Sequence, residues 1–278
     1  MIDTLTSPTL KHLREQWWND DFTEFLSETL RPRPGNRMLD VGCGEGLGEV
    51  AIGRLHLSQI RLVGVDIVLE KVVQARAETR AHNQRASFAA ADAVCLPFAD
   101  GAFDSTYCVA VLQHVADVQT AVQEFARVTR ASGRVVVVEP DNAARYAYSS
   151  VPAGMRLFQA VSEMYAALAA AHGERGDGAV GPRVPGLFSR YAVEPVDVRL
   201  FPVSHTLLGT PAPDLWRNRR HAIERTATEV TDEHVRRLSA GCLEILGEYE
   251  KDAQDAGPSF VEIQNTTLFA TVGQKLEA

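Results

Sequence analysis

Leu39-Asp40-Val41-Gly42-Cys43-Gly44-Glu45-Gly46 is the stretch on which the reading of this chain turns. A short apolar run leads into glycines at alternate positions. After a strand, such spacing lets the backbone turn tightly and approach a ligand closely. Three details narrow the ligand. A dinucleotide fingerprint places its third glycine at position 47, which is Leu47 here. No Lys-Ser/Thr follows the glycines, so the stretch is not a P-loop. Asp40 and Glu45 put carboxylates around the loop, where they repel a pyrophosphate and attract a cationic ligand.

Outward from the loop, short apolar runs alternate with longer amphipathic stretches. Met38–Val41, Ile60–Val65, Ala86–Ala91, Phe103–Val109 and Arg134–Val138 read as strands, and Leu47–Leu57, Leu69–Asn83 and Val118–Arg130 as helices. This alternation predicts βαβ units and a doubly wound, mostly parallel sheet. Val135–Val138 has no polar alternation, as a strand covered on both faces requires. Pro8–Leu30 predicts a helical arm, with Ser7 as its cap and Pro8 in its first turn. After Pro140 the pattern changes: 151–171 reads as a helix, His172–Gly181 as a Gly-rich loop, and Val196–Val203 and Phe260–Val272 as strands. Helices over roughly 213–229 and 231–252, the second capped by Thr231, separate those strands. With no repeat and no clear linker, the chain reads as one domain. It comprises an arm (1–35), a ligand-binding core (36–140) and a cover of late helices and strands (141–278).

Asp66 ends the second strand, 24 positions after Gly42. A carboxylate there can cap a helix or accept two ribose hydroxyls. Asp92, in Ala91-Asp92-Ala93, can likewise cap a turn or reach the amino group of an adenine.

The bulk composition fits an ordinary globular protein. The chain has 278 residues, 45% of them hydrophobic and 23% charged, with a formal net charge of −8. That balance provides no basic face for neutralising phosphates, so no nucleic-acid partner is expected. No apolar run approaches the ~20 residues that span a bilayer, so no membrane partner is expected either. Cys43, Cys95, Cys108 and Cys242 form no CxxC and sit beside no His at zinc-ligand spacing, so a reducing, cytoplasmic compartment and no metal are expected. Nothing in the sequence sets an oligomeric state.

Taken together, Leu39–Gly46, Val63–Asp66, Ala91–Pro97 with Phe103-Asp104, Val111–Val115 and Glu124–Pro140 resemble the class I S-adenosylmethionine-dependent methyltransferases of the small-molecule type. The resemblance covers about residues 37–140, in the family's order and spacing. It implies a Rossmann-like seven-stranded sheet whose last two strands form an antiparallel edge. It also implies S-adenosylmethionine as cofactor, S-adenosylhomocysteine as product and a small-molecule acceptor. The cofactor contacts it implies are Asp40, Gly42, Cys43, Gly44, Gly46, Asp66, Ile67, Ala91, Asp92, Ala93, Val109 and His114, with Trp17 from the arm. The Asn/Asp-Pro-Pro-Tyr motif of methylases acting on adenine or glutamine nitrogens is missing, since Cys108-Val109-Ala110-Val111 follows the fourth strand. The long helical stretch between the last two strands resembles a lid over the acceptor.

A sulfonium methyl is already activated, so its transfer asks for alignment and exclusion of water. A base is needed only if the acceptor must lose a proton. His114 is open as structural, as a cofactor contact or as a base. Glu139 and Asp141, at the end of the fifth strand, are open as acceptor-binding groups, bases or strand-end caps. His205 and His172 are weaker candidates. Trp17 and Trp18 can dock the arm or lie over the sulfonium, although adjacent helical positions do not share a face. Tyr146, Tyr148, Met155, Phe158, Met164 and Tyr165 can line an apolar pocket or form core. Arg217, Arg219, Arg220 and Arg225 can recognise an anionic acceptor or form a solvated face. The rival readings are a nicotinamide-dependent oxidoreductase, a cofactor-binding protein without turnover and a macromolecule methylase.

Overall fold

The computed structural model describes residues 17–54, 60–142, 144–171 and 177–277. Ser7, Pro8 and His172 lie outside the described residues. Asn19 starts the first described helix, α1 (Asp20–Leu30), by accepting the Phe22 amide at 2.9 Å, with Asp20 and Asp21 in the electropositive first turn. Trp17 and Trp18 therefore precede this helix, and Pro8–Leu30 is not one continuous helix. The cap, rather than the apolar periodicity, sets the start.

The chain continues through β1 (Arg37–Val41), α2 (Leu47–Arg54), β2 (Arg61–Asp66), α3 (Leu69–Ala81), β3 (Ala86–Ala90), β4 (Phe103–Val109), α4 (Val118–Val128) and β5 (Thr129–Pro140). There follow β6 (Tyr146–Ser149), α5 (Pro152–Ala171), α6 (Val184–Arg190), β7 (Val193–Leu208), α7 (Pro213–Glu229), α8 (Glu233–Ala256) and β8 (Val261–Lys275). Two compact units emerge: Met1–Ala143 with Arg175–Val203 and Thr267–Ala278, and Ala144–Glu174 with Ser204–Thr266.

In the first unit β3, β2, β1, β4 and β5 run parallel in that spatial order, and the second half of β8 pairs antiparallel with β5. Val135–Val138 are fully buried. Val135 and Val137 enter the apolar cluster that holds Phe125 and Phe188, while Val136 and Val138 enter the one that holds Phe22, Phe25 and Leu26. Period-two alternation thus feeds two cores, one on each face of the sheet. The doubly wound expectation is met, with one difference: the described strands number eight, not seven. The additional strand is β6, a four-residue segment too short to show a period.

In the second unit β6 pairs antiparallel with the first half of β8, and α8 packs along α5 and α7. Its core is Trp216, Tyr249, Phe260, Leu157, Leu246 and their neighbours. Asp232, not Thr231, caps α8, accepting the amides of His234 and Val235 at 2.8 and 3.1 Å. Met164 is fully buried and Phe158 stands edge-on to Tyr249, so both belong to this core, whereas Tyr146, Tyr148, Met155 and Tyr165 are exposed.

The arginines of α7 are largely ion-paired: Arg217 with Asp214, Arg220 with Glu250, and Arg219 with Glu262. Glu262 is fully buried and accepts both arms of Arg219, the Tyr249 hydroxyl and the Gln264 amide. Burial by itself would raise the Glu262 pKa, but Arg219 and the other donors hold it below the usual carboxylate range. Replacing it strands a guanidinium. Glu262→Leu is expected to cost about 3–5 kcal/mol, seen as a lower urea midpoint, and an unchanged midpoint would show the pair to be dispensable.

Candidate active site

Spatial order reverses between β1 and β4: the chain goes outward to β2 and β3 on one side and to β5 on the other. At such a reversal the connections after the two strands part, which leaves a crevice at the carboxyl ends. The glycine loop follows β1 and lies at this point. Gly42 and Cys43 donate to the Val65 carbonyl at 2.7 and 2.9 Å, and Gly46 closes the turn onto the Cys43 carbonyl at 3.0 Å. Gly42 has φ +75°, and a Cβ there would stand 2.3 Å from Val111 Cγ2, so only glycine lets the loop touch the segment after β4. At Gly44 nothing lies within 4 Å of where a Cβ would be. That open backbone is what a ligand held against the loop requires.

Asp66, at the end of β2, ties the loop to the strand beside it. Its Oδ2 accepts the Gly44 amide at 3.0 Å and its Oδ1 accepts the Val68 amide at 2.9 Å. An ionised carboxylate offers about four acceptor positions, so capacity remains for two hydroxyls. Ile67, the next residue, is 67% exposed, a large apolar side chain left in solvent beside that carboxylate. Asp92 is exposed and caps its own turn, with Oδ1 accepting Val94 N at 3.1 Å, while Ala91 donates to the Asp66 carbonyl at 3.0 Å and Ala93 is buried. Residues 66–67 and 91–93 therefore stand at the ends of neighbouring strands, β2 and β3.

Asp40 is not on the rim of the loop but beneath it, 5% exposed. Burial, opposed by the nearby Tyr107 hydroxyl and reinforced by Asp66, pushes its pKa up to about 7. Glu45 faces Lys71 at 3.8 Å. The negative field of the loop is weaker than two ionised rim carboxylates would give.

After β4 the backbone enters a left-handed conformation at Ala110 (φ +57°), held by the Ala110 amide on the Val138 carbonyl at 2.8 Å. Glu139, fully buried, accepts Val111 N and Leu112 N through Oε1 at 2.7 and 2.6 Å, and Gln113 N through Oε2 at 3.3 Å. It caps the short 3-10 turn Leu112–His114 and thereby holds the segment that carries His114, which is exposed. Val109 is half-buried at the end of β4. Asp141 is half-buried, its amide on the Thr267 carbonyl at 3.1 Å. Asn142 clasps the Gln113 side chain at 2.9 Å.

Trp17 and Trp18 are half-buried and pack on the apolar cluster of α1, with Trp18 edge-on to Phe22 at 5.3 Å. His205 lies within β7 rather than after it. Two features went unread in the sequence. Arg127 clamps the segment after Asp92 by donating to the Leu96 and Phe98 carbonyls and to Glu124, which in turn accepts Leu96 N. Its signal is an acid–base pair at i,i+3 on α4. The other is Glu49, which stands fully buried on α2 between Gly48 and Val50.

A family model described as a methyltransferase domain matches residues 39–137. An O-methyltransferase of Aspergillus nomiae is 33% identical over 119 residues, or 42% of this chain and 52% of that protein. The 27-O-demethylrifamycin SV methyltransferase of Amycolatopsis mediterranei is 32% identical over 151 residues, 49% of this chain and 53% of that protein. The chain thus spans about half the length of these curated relatives. The solved YcgJ protein of Bacillus subtilis superposes with a TM-score of 0.57 at 20% identity, over 92% of this chain and 98% of that one, a likeness of fold. Motif order, strand reversal and family match agree on a methyltransferase domain over residues 39–137.

Proposed function

We propose that this protein binds S-adenosylmethionine at the reversal between β1 and β4 and transfers its methyl group to a small molecule. The observation that carries the proposal is the Asp66 carboxylate, hydrogen-bonded to the glycine loop and flanked by an exposed apolar Ile67. On this reading Gly42, Cys43, Gly44 and Gly46 hold the methionine end, Asp66 takes the ribose, and Ile67 with Ala91, Asp92 and Ala93 takes the adenine. The cofactor supplies a methyl group already activated on a sulfonium. Asp40, Val109, His114 and Trp17 border the charged end. Glu139 positions the post-β4 segment, and His114 and Asp141 are the groups able to take a proton from the acceptor. The relatives' names support an oxygen acceptor, and residues 141–278 are assigned to holding it.

No helix among the described residues is long and apolar enough to cross a membrane. The acidic balance and the described cysteines, all free, support a cytoplasmic protein without a nucleic-acid partner.

Calorimetric titration with S-adenosylmethionine, S-adenosylhomocysteine and NAD tests the reading. Saturable binding of both adenosyl compounds is the expected result. Binding of NAD instead would restore the oxidoreductase reading and overturn this one. Incubation with candidate hydroxylated acceptors should then yield S-adenosylhomocysteine; binding that never leads to product would leave a cofactor-binding protein without turnover.

A further inference from the structure

Register places Gly64 of β2 beside Asp40 of β1, and Asp40 beside Tyr107 of β4. Side chains paired in this way project from the same face of the sheet, about 5 Å apart. Gly64 has no side chain, and its space is filled by a carboxyl group from α2: a Cβ at 64 would stand 2.4 Å from Glu49 Oε1. Across from it, Asp40 Oδ2 and the Tyr107 hydroxyl both approach the point where a Cβ on Gly48 would lie, at 2.8 and 3.1 Å, with Trp18 closing the space at 3.1 Å. Two carboxyl groups therefore stand side by side, buried, directly beneath the glycine loop.

Neither has a basic partner among the described residues. Both Glu49 oxygens and the Tyr107 hydroxyl lack a hydrogen bond of ordinary geometry, although the hydroxyl lies close enough to Asp40 to lower its pKa. The groups facing the pair are acidic or neutral. Asp66 of β2 acts on Asp40, Asp40 acts on Glu49, and Cys43 of the loop has its thiol pushed up by burial and these carboxylates. The Tyr107 hydroxyl is likewise raised by burial, and Lys71 of α3 faces Glu45. A buried carboxyl without a counter-ion takes up a proton, and two in contact titrate as a pair.

We propose that Glu49 is the permanently neutral member of this pair, and that Asp40 holds a proton in the empty loop at pH 6 and loses it when the cofactor's positive charge arrives. The inference rests on the cofactor reading above. Its sign is definite. A proton must leave for the cation to bind, so affinity falls about tenfold for each pH unit below 7. The cofactor's own α-amino group, with an ordinary pKa of about 7.7–8.0, is already protonated at pH 6 and adds nothing there.

Calorimetry with S-adenosylmethionine at pH 6.0, in two buffers of different ionisation enthalpy, counts the protons. About 0.9 proton released per cofactor is expected at pH 6.0, and about 0.3–0.4 at pH 7.0, where half of Asp40 is already ionised and the cofactor's amino group takes up about 0.1–0.2 proton. Glu49→Gln, which keeps a neutral group in place, should release the same number, as should His114→Asn, and Asp40→Asn should release none. Release abolished by Glu49→Gln or by His114→Asn, but kept in Asp40→Asn, would assign the proton elsewhere and overturn the proposal. Infrared difference spectra of the wild-type chain provide a readout independent of any variant. A protonated-carboxyl band should disappear on binding as a carboxylate band grows. Saturable binding with neither proton release nor that spectral change overturns the proposal and leaves the cofactor reading standing, whereas absence of any binding takes both down.

Discussion

Asp66→Ala is expected to weaken binding of S-adenosylhomocysteine about 100-fold while leaving the circular dichroism of the chain unchanged. The carboxylate has two duties in this fold. It fixes the loop through the Gly44 amide and the start of α3 through the Val68 amide, and its remaining acceptor positions are assigned to the ribose. Hydrogen bonds to a charged group contribute about 1.5–3 kcal/mol each. Two lost on the ligand side amount to at least about 3 kcal/mol, or roughly 100-fold in affinity. Asp66→Asn keeps one acceptor oxygen and should lose about tenfold, while Asp92→Ala, which gives up a turn bond to Val94, should lose less than Asp66→Ala. Near wild-type affinity in Asp66→Ala, measured by the same calorimetry, would remove the observation on which the functional reading stands.

That Asp66 was legible beforehand follows from local rules. A strand of fixed length, an alternate-glycine turn and a helix together place the next strand end about two dozen residues later, and the carboxylate there is read from position. The five parallel strands were legible for a related reason: an all-apolar run such as Val135–Val138 has no other comfortable place than the middle of a sheet. Segments whose structure depends on distant partners were not. β6 owes its existence to pairing with residues 262–265 of β8, and nothing within Tyr146–Ser149 announces it. Thr231 and Asp232 are both good caps, and only the geometry selects the aspartate.

The acidic groups teach the same lesson about the site. Asp40 read as a rim charge because a carboxylate next to a glycine loop is ordinarily in water. Its burial depends on Tyr107 and Trp18, which lie 67 positions after it and 22 before it in sequence. Glu49 lies within the helical stretch after the glycine loop, and its space is supplied by the missing side chain of Gly64, a residue on a strand 15 positions later. How strongly a carboxylate acts depends on a local dielectric that only the fold supplies.

Glu139 is the sharpest case, because its two readings predict opposite results for one substitution. As a strand-end carboxylate it qualified as a base. In the fold its oxygens accept three successive amides, 111 to 113, at the strained exit from β4. Glu139→Gln retains an oxygen that can accept both short bonds, from Val111 and Leu112, and gives up the long one to Gln113. A cost of about 1 kcal/mol in stability and a turnover within a few-fold of wild type are expected. Glu139→Ala leaves all three amides without an acceptor, at about 1–3 kcal/mol each. Its unfolding midpoint should fall by several degrees more than that of the glutamine variant, and cofactor affinity should drop with it as the segment carrying His114 relaxes. Were Glu139 the base, the glutamine variant would instead lose about 10²–10⁴-fold in turnover with its stability and cofactor affinity intact. Thermal unfolding, calorimetry and S-adenosylhomocysteine release on the two variants separate these outcomes, because a positioning carboxylate tolerates the amide and a proton acceptor does not.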